Sequence, residues 1–305
     1  MPRRFRALGA ARWCLILAAG LSSAAPPEPQ TTRSSQASSI LREKRHSPLD
    51  LEVAGDLAGL PLRSVRYLRR EDLLELPQTN FVAAGDANFK SAPRLGGITL
   101  EALATRFSQN PRADLIVAVS SDKYCANYPR SYVTAHHPVL VLTIDGKPPD
   151  DWPKDPVGLG LPTGPYLVSH ARFIPSFQVL SHTDEPQIPW GVVRLEFRSE
   201  QKVFGAIAPR GPHARDAEVQ DGYRIAQQNC LRCHNIGAEG GTKAGRTWLV
   251  LGTWANAAPD RFAAYVRDPK AQNPRAQMPG NLKYDQATRR ALVAYFRTFA
   301  AEGQE

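Results

Sequence analysis

The sequence predicts two domains in series, an N-terminal α+β domain that is mainly β and a C-terminal all-α domain. Three observations predict this. Up to about residue 208 the apolar runs are short and rich in Val, Ile and Leu, as strands are. Pro209-Arg210-Gly211-Pro212 then interrupts the pattern. Beyond it, apolar residues recur at helical spacing. A chain of 305 residues suits about two domains and buries a core without needing disulfides.

The first residues read as an export signal. Arg3, Arg4, Arg6 and Arg12 form a positive start, Trp13 to Leu21 a short apolar core, and Ser22 to Ala25 a small-residue cleavage region. The signal is placed at 1–24, with an uncleaved anchor as the alternative. Residues 25–46, rich in Pro, Gln, Ser and Thr, read as a flexible linker. The body at 47–208 carries strand-like runs at Leu115–Val119, Val139–Ile144, Val192–Phe197 and Val203–Ile207. One helix is expected from Ser64 or near Arg69 to before Pro77. Another follows Thr99, with Leu100, Leu103 and Phe107 on one face.

After a linker at 209–215, the segment 216–305 shows three helical faces. Val219, Gly222, Tyr223, Ala226 and Cys230 form the first; Phe262, Tyr265 and Val266 the second; Leu292, Tyr295, Phe296 and Phe299 the third. No other long apolar stretch occurs, so the mature chain is expected to be soluble, periplasmic and without a membrane span. The net charge of +9 owes four of its positives to the signal. The remaining Lys and Arg are scattered and form no recognition motif, which argues against nucleic acid and leaves steering towards an acidic partner.

The chemistry is concentrated in Cys230-Leu231-Arg232-Cys233-His234, the pattern that attaches a c-type haem. Two thiols three residues apart reach the two vinyl groups of one porphyrin, and the next imidazole is then held beneath the iron. From this chain's composition, chance produces the pattern about once in a thousand such sequences. A zinc site needs further Cys or His at suitable spacing, and none lies nearby. Met278 is the only methionine left after the signal, in the loop Gln277-Met278-Pro279-Gly280. It is therefore the candidate second axial ligand, opposite His234. Filling both axial positions argues against gas binding or peroxidase chemistry. One covalent haem c is expected, on Cys230 and Cys233.

From these residues, 216–305 resembles a class I monohaem cytochrome c domain. Gly240-Gly241-Thr242 resembles the glycine loop after the haem motif. Asp268 to Pro274 with Gln277-Met278-Pro279 resembles the approach to the distal Met, and Leu292 to Phe299 the last helix. The resemblance implies that Gly222 lets the first and last helices cross closely, with Tyr295 or Phe296 packed on it. Where the family has a proline whose carbonyl orients the proximal histidine, this chain has Gly245-Arg246-Thr247-Trp248-Leu249. The acceptor for the His234 ring is thus open, and Arg246, Trp248 and Trp254 are candidates to touch the haem or simply to pack.

Residues 48–208 resemble the molybdopterin-binding fold of the sulfite oxidase family. The matching fragments include Leu51 to Gly55, Gly97 to Leu103, Ser121 to Tyr124, Asp145 to Pro148, Gly164 to Val168 and Ile188 to Trp190. That family binds molybdenum through a cysteine ahead of the Gly97-like segment, and residues 81–89 contain none. Cys125 is the only candidate thiol, either buried and inert or reactive. Molybdopterin is therefore not expected. His136-His137, on a strand, would point opposite ways and make a poor metal pair; His170 and His182 read as single polar histidines. The sequence favours a periplasmic electron carrier with a redox partner protein. The alternative is a sulfite dehydrogenase-like enzyme with a fused haem acceptor.

Overall fold

The computed structural model describes residues 40–300 apart from 108, 109, 111, 155–159 and 161. The export signal and most of the linker lie outside the described residues. The linker's end is paired: Arg42 exchanges backbone hydrogen bonds of 2.9 and 2.8 Å with Tyr67.

The N-terminal unit is a mixed sheet with helices on it. Its strands are β1 (Leu51–Gly55), β2 (Ser64–Leu68), β3 (Thr79–Val82), β4 (Arg94–Thr99), β5 (Leu115–Ser120), β6 (Cys125–Pro129), β7 (Val139–Ile144) and β8 (Tyr166–Ser169). A small hairpin, β9 (Gln178–Val179) and β10 (His182–Thr183), precedes the long β11 (Trp190–Arg198). Nine strands form one sheet in the order β2-β1-β11-β8-β7-β4-β3, with β5 and β6 branching from β11. The branch has a local cause. β11 runs parallel to β1 on one side; on the other it pairs first with β8 and then, past a bulge between Val192 and Arg194, with β5.

Helices α1 (Arg70–Leu74), α2 (Leu100–Phe107), α3 (Arg130–His136) and α4 (Glu200–Ala206) complete this unit. The helix near Arg69 starts after it; Ser64 begins β2 instead. In α2, Leu100, Leu103 and Phe107 are buried as expected. The run Val203–Ile207 is not a strand. Ser199 precedes it in extended conformation at the helix N-cap, and Val203, Phe204 and Ile207 fall on one helical face, where all three are buried.

The C-terminal unit contains α5 (Ala217–Asn229), a short hairpin of β12 (Asn235–Ile236) and β13 (Glu239–Gly240), then α6 (Trp248–Ala257), α7 (Pro259–Arg267), α8 (Pro269–Gln272) and α9 (Gln286–Arg297). Two of these, α6 and α8, go beyond the three expected. The α6 sequence is apolar nearly all round, so it lacks the one-sided periodicity that marks an amphipathic helix. Helices α5 and α9 cross at Gly222. A Cβ there would lie 2.6 Å from both the Ala291 carbonyl carbon and Tyr295 Cβ, so only glycine allows this approach.

The two units share a core. On β5 and β6, Ile116, Ala118, Ala126 and Tyr128 face the N-terminal interior. Leu115, Val117 and Cys125 face the other way and pack, with Val203, Phe204 and Ile207, into the cluster that holds Val219, Ile225, Trp248, Tyr295 and Phe296. This explains why β5 is apolar from Leu115 to Val119: it is covered on both faces. Each Leu or Val so buried contributes about 1.5–3 kcal/mol.

Candidate haem centre

Helix α5 ends at Cys230, and the attachment motif continues as one tight turn. Cys233 N–H and His234 N–H both donate to the Cys230 carbonyl, at 3.2 and 3.0 Å. The chain then folds back through β12 and β13 over the motif. Gly241 N–H donates to Leu231 O at 2.9 Å, and Ala244 N–H to Cys233 O at 2.9 Å. A Cβ at Gly241 would meet the Arg232 carbonyl carbon at 2.6 Å, so this glycine permits the closure.

The imidazole of His234 is oriented by its own chain. Nδ1 donates to the Arg246 carbonyl at 2.6 Å, which leaves Nε2 free to ligate. The backbone acceptor left open by the sequence is therefore Arg246 O. Burial lowers the basicity of His234, opposed by that hydrogen bond, so the ring is held in the neutral form a metal requires. The Arg246 guanidinium lies 5.3 Å from the Trp254 ring centroid and 5.9 Å from that of Tyr265, fixing the segment that carries the acceptor. Trp254 in turn packs edge-on against Phe262 and Tyr265. Trp248 is fully buried on Tyr295 and Phe296, and its Nε1 donates to Tyr295 Oη at 3.1 Å.

Met278 is half-buried in the loop between α8 and α9. The loop is tied down next to it: Asn281 N–H donates to Arg267 O at 2.9 Å, and Asn281 Nδ2 to Val266 O at 3.1 Å. Asp268 caps α8 by accepting from Ala271 N–H at 3.1 Å.

The thiols of Cys125, Cys230 and Cys233 are unpaired. Burial pushes Cys230 up to about 12 and raises Cys233 as well. A haem thioether carries no charge, so attachment does not require these buried thiols to be held as anions. Among the described residues no group of three or more His, Cys, Asp and Glu could hold a metal ion. The residues present thus fit a covalently bound haem with one histidine ligand.

The N-terminal unit is docked on the attachment loop. Cys125 N–H donates to Arg232 O at 2.8 Å, and Thr242 N–H to Lys123 O at 3.1 Å. Lys243 pairs with Asp122 at 2.5 Å, and Arg198 grips both oxygens of Glu239 at 2.7 and 2.8 Å. The Cys125 side chain therefore lies at the contact between the units, and burial pushes its thiol up to about 12.

A buried polar chain crosses the same contact. Asp184 accepts from His136 Nε2 at 2.9 Å, from Ser176 N–H at 3.1 Å, from Ser176 Oγ at 2.6 Å and from Gln228 Nε2 at 2.5 Å. That sets the Gln228 amide, whose Oε1 accepts from His182 Nε2 at 2.5 Å. His182 Nδ1 then accepts from Tyr284 Oη at 3.0 Å, which accepts from Asn229 Nδ2 at 2.5 Å. Burial lowers the basicity of His182, in keeping with a neutral ring that donates on one side and accepts on the other. His136 and His137 are not on a strand: they end α3, where His136 is buried and His137, in the left-handed region, is exposed. His170 Nε2 lies 3.0 Å from Tyr132 Oη. Sequence reasoning missed Asp184, Gln228, Arg232 and Tyr284, because no short motif joins partners 44 to 102 residues apart.

Fold and site define the C-terminal region as a cytochrome c domain, which implies covalently bound haem c and single-electron transfer. Residues 217–296 match the family described as cytochrome c oxidase, cbb3-type, subunit III. Among solved structures, the chain is similar to the sulfane dehydrogenase SoxCD from Paracoccus pantotrophus, at 14% identity and a TM-score of 0.33. That likeness covers 57% of this chain and spans 45% of the other. Comparison with curated proteins finds no match. No described helix is long and apolar enough to cross a membrane.

Proposed function

We propose that this protein is a periplasmic electron carrier whose single haem is bonded to Cys230 and Cys233 and ligated by His234 and Met278. In this reading residues 1–24 are removed on export, 25–46 are a tether, 47–208 form a sulfite oxidase-like docking domain, 209–215 a linker and 216–305 the haem domain. The observation that carries the reading is His234 itself: Nδ1 is committed to Arg246 O at 2.6 Å, so Nε2 is presented as the ligand directly after the two cysteines. Bound there, the haem would supply a one-electron couple, and His–Met ligation would favour its reduced form. The chain's own part is to hold the ring, to exclude water with the N-terminal unit on the Cys125 side, and to present the domain to a redox partner protein.

The rival reading makes the N-terminal unit a molybdopterin enzyme that feeds the attached haem. It requires a thiolate, and Cys125 is the only thiol described in that unit. Cys125 is buried, its backbone is bonded to Arg232, and its thiol is pushed up to about 12. The thiol is enclosed where the two units pack, without an open face for a molybdenum cofactor, which supports the carrier.

The test is cofactor analysis of the mature protein. Pigment that stays with the chain in acidified acetone, and is lost when Cys230 and Cys233 are both changed to Ser, is the expected result. The oxidised protein should show a Met–iron charge-transfer band that Met278→Ala removes. Colourless protein, or stoichiometric molybdenum, would sink the proposal.

A further inference from the structure

The side chain of Arg232, inside the attachment motif, leaves the loop and enters the N-terminal unit. Its Nε donates to Gln228 O at 2.5 Å, one turn back on α5. The guanidinium then lies beside the Tyr124 phenol, with Tyr128 and Tyr132 near it. Only 14% of the Arg232 side chain meets solvent. Among the described residues its one acidic neighbour within pairing distance is Glu185, 3.8 Å away and 46% exposed. Nη2 is buried without a hydrogen-bond partner. The phenol of Tyr124 is pushed up by burial and stays neutral, so it contributes no countercharge. A half-exposed carboxylate at that distance is screened by water and offsets the buried cation only in part. The result is a buried cation, next in sequence to Cys233, with no described carboxylate in direct contact; the buried Asp184 carboxylate of the same interface is taken up by His136, Ser176 and Gln228.

We propose that Arg232 is a fixed positive charge which the N-terminal unit holds against the attachment loop, and that it raises the reduction potential of the haem bound there. The inference rests on the haem reading above and adds a role for the N-terminal unit. Oxidised iron carries one more positive charge than reduced iron. A nearby cation in a poorly hydrated interior therefore disfavours the oxidised form. The backbone contact from Cys125 N–H to Arg232 O, at 2.8 Å, keeps the group in place. A guanidinium stays charged at every working pH, so the effect does not depend on pH. Arg232 is a positioning and charge-supplying residue, not a ligand.

The test uses the mature, full-length holoprotein and three variants: Arg232→Met, which keeps the length but not the charge, Arg232→Lys, and Glu185→Gln. Midpoint potentials are read by spectroelectrochemical titration, with haem content and the oxidised spectrum recorded alongside. Arg232→Met should move the equilibrium on the order of tenfold towards the oxidised form, a fall of 59 mV for one electron. Arg232→Lys should restore most of that loss, and Glu185→Gln should shift the potential upward. The shifts should be equal across neutral and mildly alkaline pH. An unchanged potential in fully loaded Arg232→Met would overturn the proposal, as would a fall that lysine does not rescue. If Arg232→Met fails to fold, Glu185→Gln decides: no upward shift refutes the charge effect. Absence of covalent haem from the parent protein would show before any potential is measured, and defeats the haem reading rather than the role of Arg232 alone.

Discussion

Replacing Asp184 by alanine should loosen the contact between the two units. Its carboxylate has no solvent exposure and accepts from His136, from the backbone and hydroxyl of Ser176, and from Gln228 of the haem domain. Removing it takes the acceptor from four donors: the His136 ring is buried, the Gln228 amide is half-buried, and the two Ser176 groups lie on an exposed residue that water can reach. At about 1–3 kcal/mol for each of the two donors that water does not readily reach, the loss is about 2–6 kcal/mol. Set against a total stability of about 5–15 kcal/mol, this is a large fraction. The assay is urea unfolding of the holoprotein, followed at once by far-UV circular dichroism and by haem absorbance. The parent should unfold with coincident transitions, because the units share a core and this relay. Asp184→Ala should lower the midpoints and separate the two transitions, and Asp184→Asn, which keeps one carbonyl acceptor, should recover part of the loss. Coincident transitions at the parent's midpoint in Asp184→Ala would refute the coupling argument.

Three further outcomes follow from the same geometry. Gly222→Ala forces a methyl against the Ala291 carbonyl and Tyr295 and should cost about 3 kcal/mol in thermal unfolding; an unchanged melting temperature would contradict the close crossing of α5 and α9. Burial holds His170 near 3, below its unfolded value of about 6.5, so the unfolded chain binds the proton first. Its contribution is complete above the unfolded value and is lost as pH falls towards the folded one, by about 1.4 kcal/mol per pH unit. Between about pH 7 and about pH 5 the parent should therefore lose about 2 kcal/mol more than His170→Gln in urea titrations, and equal losses would dismiss this histidine as the source. Finally, the Cys125 thiol, buried and pushed up to about 12, should resist alkylation at neutral pH in the native protein and react in urea; rapid native labelling would restore it as a candidate thiolate.

The cytochrome c domain was legible because covalent haem attachment needs contiguous residues: the candidate Cys230, Cys233 and His234 lie within one turn. Met278 stands as the candidate second ligand by elimination alone, since one methionine follows Met1 in the sequence. The helical faces through Val219 and Leu292 followed from periodicity, and the glycine at their crossing from the family resemblance. Val203–Ile207 misled because a five-residue apolar run fits strand or helix equally, and the haem domain packed against it decides for helix. Helix α6 was hidden by being apolar on all sides.

By itself the sequence determined the two-part order, the mixed strand and helix character of the first part, the helices of the second, and which cysteines and histidine are candidates for the haem, because these rest on local spacing. Only the tertiary structure decided that Arg246 O orients that histidine, that Cys125 faces the attachment loop, that Arg232 is buried between the units, and that Asp184 joins His136 to Gln228. These contacts depend on how β5, β6 and α5 pack. Packing between segments far apart in the chain leaves no periodic trace in either one, since each partner separately reads as an ordinary polar residue.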